Sequence, residues 1–149
     1  MKCESCNQLK NPETKVLETN FWLAKIDKNQ SELGRTLLIL KRHCPSLIML
    51  TEEENKDFLE AIKNLEPALK KAFGCEMVNV SCLMNHAYKN SPPNPHIHWH
   101  IRPRYKEKVE FEGISFEDSK FGSHYDPKAK RVLDLPMLKK VAKRVLEKL

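Results

Sequence analysis

The chain has 149 residues, 40% hydrophobic and 31% charged, which suits one domain with its own core and excludes a disordered chain. Its net charge of +6 and pI near 9.1 favour anionic partners, phosphorylated small molecules as readily as nucleic acid. No apolar run reaches membrane-helix length and the N-terminus, Met1-Lys2-Cys3-Glu4-Ser5-Cys6, is too polar for a signal peptide; the odd count of five cysteines disfavours a disulfide framework, so the cytoplasm is the expected compartment.

In chain order, residues 14–18 and 21–26 read as two short strands around a turn at Thr19-Asn20. Residues 27–34 are polar and read as a loop, and residues 35–40 as a buried strand. Thr51 and Glu54 form a capping box, so a helix is predicted from there. Its apolar stripe is Phe58, Ile62, Leu65, Leu69 and Phe73; Pro67 should kink or split it, and Gly74 should end it. Residues 76–84 read as a strand and residues 85–95, with three prolines, as a loop. Residues 108–118 read as a hairpin turning at Glu112-Gly113. A last helix starts at Asp134 and buries Leu138, Val141, Val145 and Leu149. Its lysines and arginine (Lys139, Lys140, Lys143, Arg144, Lys148) fit a solvated helix face better than a nucleic-acid patch. Strands interrupted by one long helix predict an antiparallel α+β domain over residues 1–149.

The most informative segment is residues 94–105, Asn-Pro-His-Ile-His-Trp-His-Ile-Arg-Pro-Arg-Tyr. Strand alternation places His96, His98 and His100 on one face and Ile97, Trp99 and Ile101 on the other. An imidazole near neutral pH can be nucleophile, proton carrier or metal ligand. Cys3 and Cys6 form a C-x-x-C, which can hold two corners of a zinc ion. With no second C-x-x-C, His43 and His96 are the candidates to complete a structural site. A redox pair, or two ordinary thiols with His43 at the surface, is the alternative. With His96 on metal, His98 and His100 stay free. A neutral imidazole can attack phosphorus to give a phosphoramidate that water cleaves. Arg102 and Arg104 continue the same face and can neutralise phosphate charge. Direct chelation of a catalytic zinc by all three histidines, or a row with no chemistry, remain open.

These residues resemble the histidine-triad (HIT) superfamily, whose signature is His-φ-His-φ-His-φ-φ with φ apolar. His96 to Ile101 match it, with Arg102 in the last φ place. The N-terminal C-x-x-C, the Lys41-Arg42-His43 strand end and the helix at Thr51 follow the family order, so the resemblance covers roughly residues 1–105. Asn94-Pro95-His96 is similar to the galactose-1-phosphate uridylyltransferase branch, which has zinc-bearing members.

The resemblance implies a five-stranded antiparallel sheet with a long helix and a C-terminal helix, and a homodimer. It implies His98 as nucleophile at the α-phosphate of a nucleotide, with adenine the expected base, and His100 as contact to the phosphate or leaving group. His96 would orient the site or bind zinc, and Asn85 would lie near the phosphates. The expected function is a nucleotidyl hydrolase acting on a nucleoside phosphoramidate or dinucleoside polyphosphate. The alternatives are a nucleotidyltransferase and a zinc-stabilised nucleotide-binding protein with little turnover. Two departures bear on substrate. Arg35 replaces a family histidine, and Ser91-Pro92-Pro93-Asn94-Pro95 replaces a phosphate-cradling Gly-Gln-Ser/Thr. Proline offers no N–H, so Asn94 or Arg35 is the expected substitute. Residues 106–149 carry no family motif, and His124 is a loop histidine that could touch a leaving group.

Overall fold

The main sheet has five antiparallel strands: β1 (Lys15–Glu18), β2 (Trp22–Ile26), β3 (Thr36–Leu40), β4 (Met77–Cys82) and β5 (His98–Arg104). Their spatial order is β1-β2-β3-β5-β4, so β5 lies between β3 and β4. Three helices accompany the sheet: α1 (Glu4–Leu9), α2 (Glu52–Phe73) and α3 (Leu135–Leu146). A separate hairpin pairs β6 (Val109–Phe111) with β7 (Ile114–Phe116) through Glu112 and Gly113, both at positive φ as a two-residue hairpin turn demands. The computed structural model describes residues 3–149. The fold is α+β, as strands around one long helix predict. No helix among the described residues is long and apolar enough to cross a membrane.

Register assigns the two faces of the sheet. His100 pairs with Leu37 and Ser81, His98 with Ile39, and Leu37 with Lys25, so these side chains share one face. Trp99, Ile101, Leu38, Leu40, Trp22 and Ala24 share the other, which α2 covers. Phe58 of α2 lies 4.6 Å from the Trp99 ring and 5.6 Å from Trp22, and Trp22 donates to the Glu54 carbonyl at 2.8 Å. Ala61, Leu65, Leu69 and Phe73 complete that packing. Gly34 (φ +84°) lets the chain pass beneath α2; a Cβ there would meet Phe73 ring carbons at 2.8 and 2.9 Å.

Two expectations need correction, and two segments hold more than the sequence suggests. Pro67 neither splits nor ends α2, which runs unbroken for 22 residues. Pro67 is exposed, so the Lys63 carbonyl it leaves unbonded faces water. Leu149 is 45% exposed because α3 stops at Leu146. Residues 4–9, assigned no element from the sequence, form α1. The 27–34 loop is polar but largely buried, with Gln30 and Leu33 fully so. Distant chain covers it: Gln30 N–H donates to the Arg131 carbonyl, Leu133 N–H to Lys28, and Asn29 bridges Val132.

Candidate functional site

β5 starts at His98, so His96 stands just before the strand and its ring goes elsewhere. It is 3% exposed, and Nε2 lies 2.7 Å from the Leu40 carbonyl. A carbonyl only accepts, so Nε2 carries the hydrogen and Nδ1 keeps its lone pair. Nδ1 faces Cys3 Sγ at 3.2 Å and Cys6 Sγ at 3.3 Å. His43 Nδ1 lies 3.7 Å from Cys6 Sγ, its ring edge-on to His96. All four donor atoms lie within 4.8 Å of one another. Two sulfurs and two imidazole nitrogens, one with its tautomer set by a carbonyl, suit a tetrahedral structural metal. Cys3, Cys6, His43 and His96 can therefore form a metal site. α1 supplies one thiol, and Cys3 sits at its N-cap. Burial, then Cys3, push the Cys6 thiol up.

His98 inverts that tautomer. Its Nδ1 lies 2.8 Å from the His96 carbonyl, so Nδ1 carries the hydrogen and Nε2 presents a lone pair. The His98 and His100 rings meet edge-on at 5.0 Å. Burial, with the nearby His98, Arg35 and Arg102 charges, pushes the His100 pKa down to about 3, so this ring is neutral at ordinary pH. His100 Nδ1, Ser81 Oγ beside it across β4, and Arg102 Nε are buried atoms without a hydrogen-bond partner among the described residues.

Further along this face, the arginines are engaged by carboxylates. Arg102 Nη1 lies 3.0 Å from Glu32, and Arg35 Nε 2.9 Å from Asp27. Arg104 makes two bonds to Asp118, at 2.6 and 3.1 Å, and reaches the Asn79 side chain and the Lys120 and Ser123 carbonyls. Burial lowers the Arg35 pKa, partly offset by Asp27. Arg35 and Arg102 thus lie under the site as a charged floor. Asn85 is exposed at the head of the 3-10 turn Asn85–Lys89, and Asn94 is half-buried ahead of β5.

Three contributors escaped the sequence reading. Ser81 is an ordinary strand serine until pairing sets it beside His100. Tyr125 lies buried over Arg102, with the guanidinium 3.8 Å from its ring centre. Lys25 is bound to the Gln8 and Asn11 carbonyls at 3.2 and 3.1 Å, which ties the chain around α1 to the sheet. It borders a cavity of about 330 Å³ also lined by Gln8, Asn11, Asp27 and Leu37. Only a long-range pairing could have revealed these.

A family model described as HIT domain matches residues 8–107. The Bacillus subtilis relative named Protein hit is 33% identical over 94 residues, 63% of this chain and 63% of that protein, so the match spans less than two thirds of either. An adenosine 5′-monophosphoramidase of Schizosaccharomyces pombe is 32% identical over 110 residues, 72% of this chain and 78% of that protein. A solved zinc-bound histidine triad family protein from Mycobacterium smegmatis shares the fold, with a TM-score of 0.63 at 20% identity over 98% of this chain and 94% of that one.

Proposed function

The chain belongs to the HIT domain family, and from that premise we propose that it is a nucleotidyl hydrolase acting at the α-phosphate of an adenylate, a phosphoramidate or a dinucleoside polyphosphate. The observation that carries this is the His98 ring, with Nδ1–H bound by the His96 carbonyl and Nε2 free beside a neutral His100. Nε2 attacks phosphorus as the bond to the leaving group breaks, giving a nucleotidyl-histidine. Water then cleaves the P–N bond and restores His98. His100, being neutral, binds a phosphate oxygen by hydrogen bonding rather than by charge. Asn85 and Asn94 flank the phosphates, while Arg35 and Arg102 bias the site electrostatically from beneath.

Zinc is the metal this donor set fits best, and its part is structural: it joins α1 to His96, whose carbonyl aims the nucleophile. Such a thiol site suits a reducing compartment, the cytoplasm. The outer edge of β4, unpaired in the sheet and carrying exposed Met77 and Val80, supports pairing with a second copy. Nucleic acid is not the partner on this reading, because the chemistry-bearing groups gather around one small site.

The test is mass spectrometry of the intact protein after brief exposure to adenosine 5′-phosphoramidate or diadenosine polyphosphates. An adenylyl adduct and released AMP are expected, both lost by at least roughly 10⁴-fold in His98→Ala. Full activity in that variant would overturn the nucleophile assignment. Binding without turnover would favour the nucleotide-binding alternative, and persistence of the adduct until a second nucleotide arrives would favour a transferase. Native spectra of the same sample read the homodimer, which a purely monomeric mass would exclude.

A further inference from the structure

His98 and His100 stand edge-on to each other, yet only the first has its tautomer fixed by a bond in the structure. The His96 carbonyl holds the hydrogen on His98 Nδ1 and leaves a lone pair on Nε2. His100 needs the opposite arrangement. A neutral imidazole carries one N–H, and an ionised phosphate oxygen only accepts. His100 therefore binds phosphate when Nε2, the nitrogen farther from the backbone, keeps the hydrogen and Nδ1 accepts a bond. A lone pair on Nε2 would instead repel the anion.

Ser81 is placed to supply the bond to Nδ1. It pairs directly with His100 across β4 and β5, and opposed residues of antiparallel strands have Cβ atoms about 4.5–5.5 Å apart on one face. Oγ is bonded to Cβ and Nδ1 to the carbon next to it, so both atoms sit low over the sheet. Each is buried from water, and each lacks a partner among the described residues. Buried polar atoms are nearly always bonded, and these two are complementary. Rotation about the serine Cα–Cβ bond turns the hydroxyl toward Nδ1, and hydrogen bonds of this kind often tighten only when substrate is bound. The rival partner is the Leu83 carbonyl, which also approaches the ring. A carbonyl only accepts, so it would draw the hydrogen to Nδ1 and turn the Nε2 lone pair on the phosphate.

Resting on the nucleotidyl-hydrolase reading, we propose that Ser81 is the positioning residue of His100: its hydroxyl donates to Nδ1 when phosphate is bound and keeps the hydrogen on Nε2, where it meets a phosphate oxygen. The two rings then face phosphorus in complementary states. His98 presents a lone pair set by a carbonyl, and His100 an N–H set by a hydroxyl. Burial, with the His98, Arg35 and Arg102 charges, keeps a second hydrogen off the His100 ring.

The experiment is nitrogen NMR of the protein isotopically labelled at histidine, with AMP bound, in the unmodified chain, Ser81→Ala and Ser81→Thr. The shifts separate an N–H from a lone-pair nitrogen, a distinction that lost packing alone would not exchange. His100 should carry its hydrogen on Nε2 in the unmodified chain and in Ser81→Thr, and on Nδ1 in Ser81→Ala. Ser81→Ala should lose roughly tenfold in kcat/KM on adenosine 5′-phosphoramidate, as for one missing hydrogen bond. Ser81→Thr should stay within about threefold of the unmodified rate, both variants keeping the melting temperature. A hydrogen on Nδ1 in the unmodified complex, or a tautomer that Ser81→Ala leaves unchanged, would overturn the assignment while leaving the hydrolase reading intact. Absence of AMP binding and of any His98 adduct in the unmodified protein would take down the hydrolase reading, and this inference with it.

Discussion

The two ends of the triad face are held by different physics. At the His96 end, two thiols and two imidazoles converge on a point that a metal ion could occupy. At the Arg102 end, Arg35, Arg102 and Arg104 meet Asp27, Glu32 and Asp118, three charges of each sign, and the set is complete within the protein. One end offers four ligands to an ion from solution and the other is built from ion pairs within the protein. His98 and His100 lie between them. Site integrity should therefore respond to metal supply through α1 and to side-chain loss through the 118–125 segment, independently.

The largest expected effect is at the ionic end. Arg104→Ala leaves the buried Asp118 carboxylate without its cation, held only by the Tyr105 and Lys120 N–H groups, and deprives the Lys120 and Ser123 carbonyls of this donor, at a cost of about 3–5 kcal/mol in stability. Urea unfolding measures it, and a loss under about 1 kcal/mol would mean that this pair does not close the end. Next is the metal end. Chelation should remove about one equivalent and lower the melting temperature by on the order of 5 °C, while Cys6→Ser should already lack both the metal and the response. Hydrogen exchange should quicken in α1 and stay slow in 118–125; acceleration at both ends would break the comparison.

The smallest expected effect is the pH response of His100, between the two ends. Its folded pKa of about 3 lies below the unfolded value of roughly 6.5, so the unfolded chain takes up the proton first. Its contribution is fully present above pH ~6.5 and is lost as pH falls toward about 3. Because water reaches part of this half-buried ring, the loss by pH 4 should total about 2 kcal/mol. His100→Gln should show a correspondingly shallower decline in urea titrations across that window. Parallel declines would mean that His100 is not held neutral.

What was legible in the sequence was what short spacing encodes. Alternation in residues 96–101 separates histidines from isoleucines, and the Thr51/Glu54 capping box starts α2 where predicted. Helix α1 was illegible because its six residues carry no apolar stripe; it is held instead by long-range contacts such as the Lys25 bonds to the Gln8 and Asn11 carbonyls. The burial of residues 27–34 was illegible for a related reason. Gln30 and Glu32 look like solvent residues until residues 129–133 pair over the loop and Arg102 reaches Glu32. Arg102 read as a free phosphate ligand because its carboxylate, Glu32, lies 70 residues away in the chain, while the nearer partners Asp27 of Arg35 and Asp118 of Arg104 follow no helix or strand spacing.

Gly34 carries a consequence for how such a chain can diverge. With Phe73 and Leu69 filling the space a Cβ would take and φ at +84°, a side chain there is crowded and strained. Lengthening or shortening the 27–34 loop would drag Arg35 away from Asp27 and strand both charges. Neutral drift in loop length is therefore closed at the floor of the site.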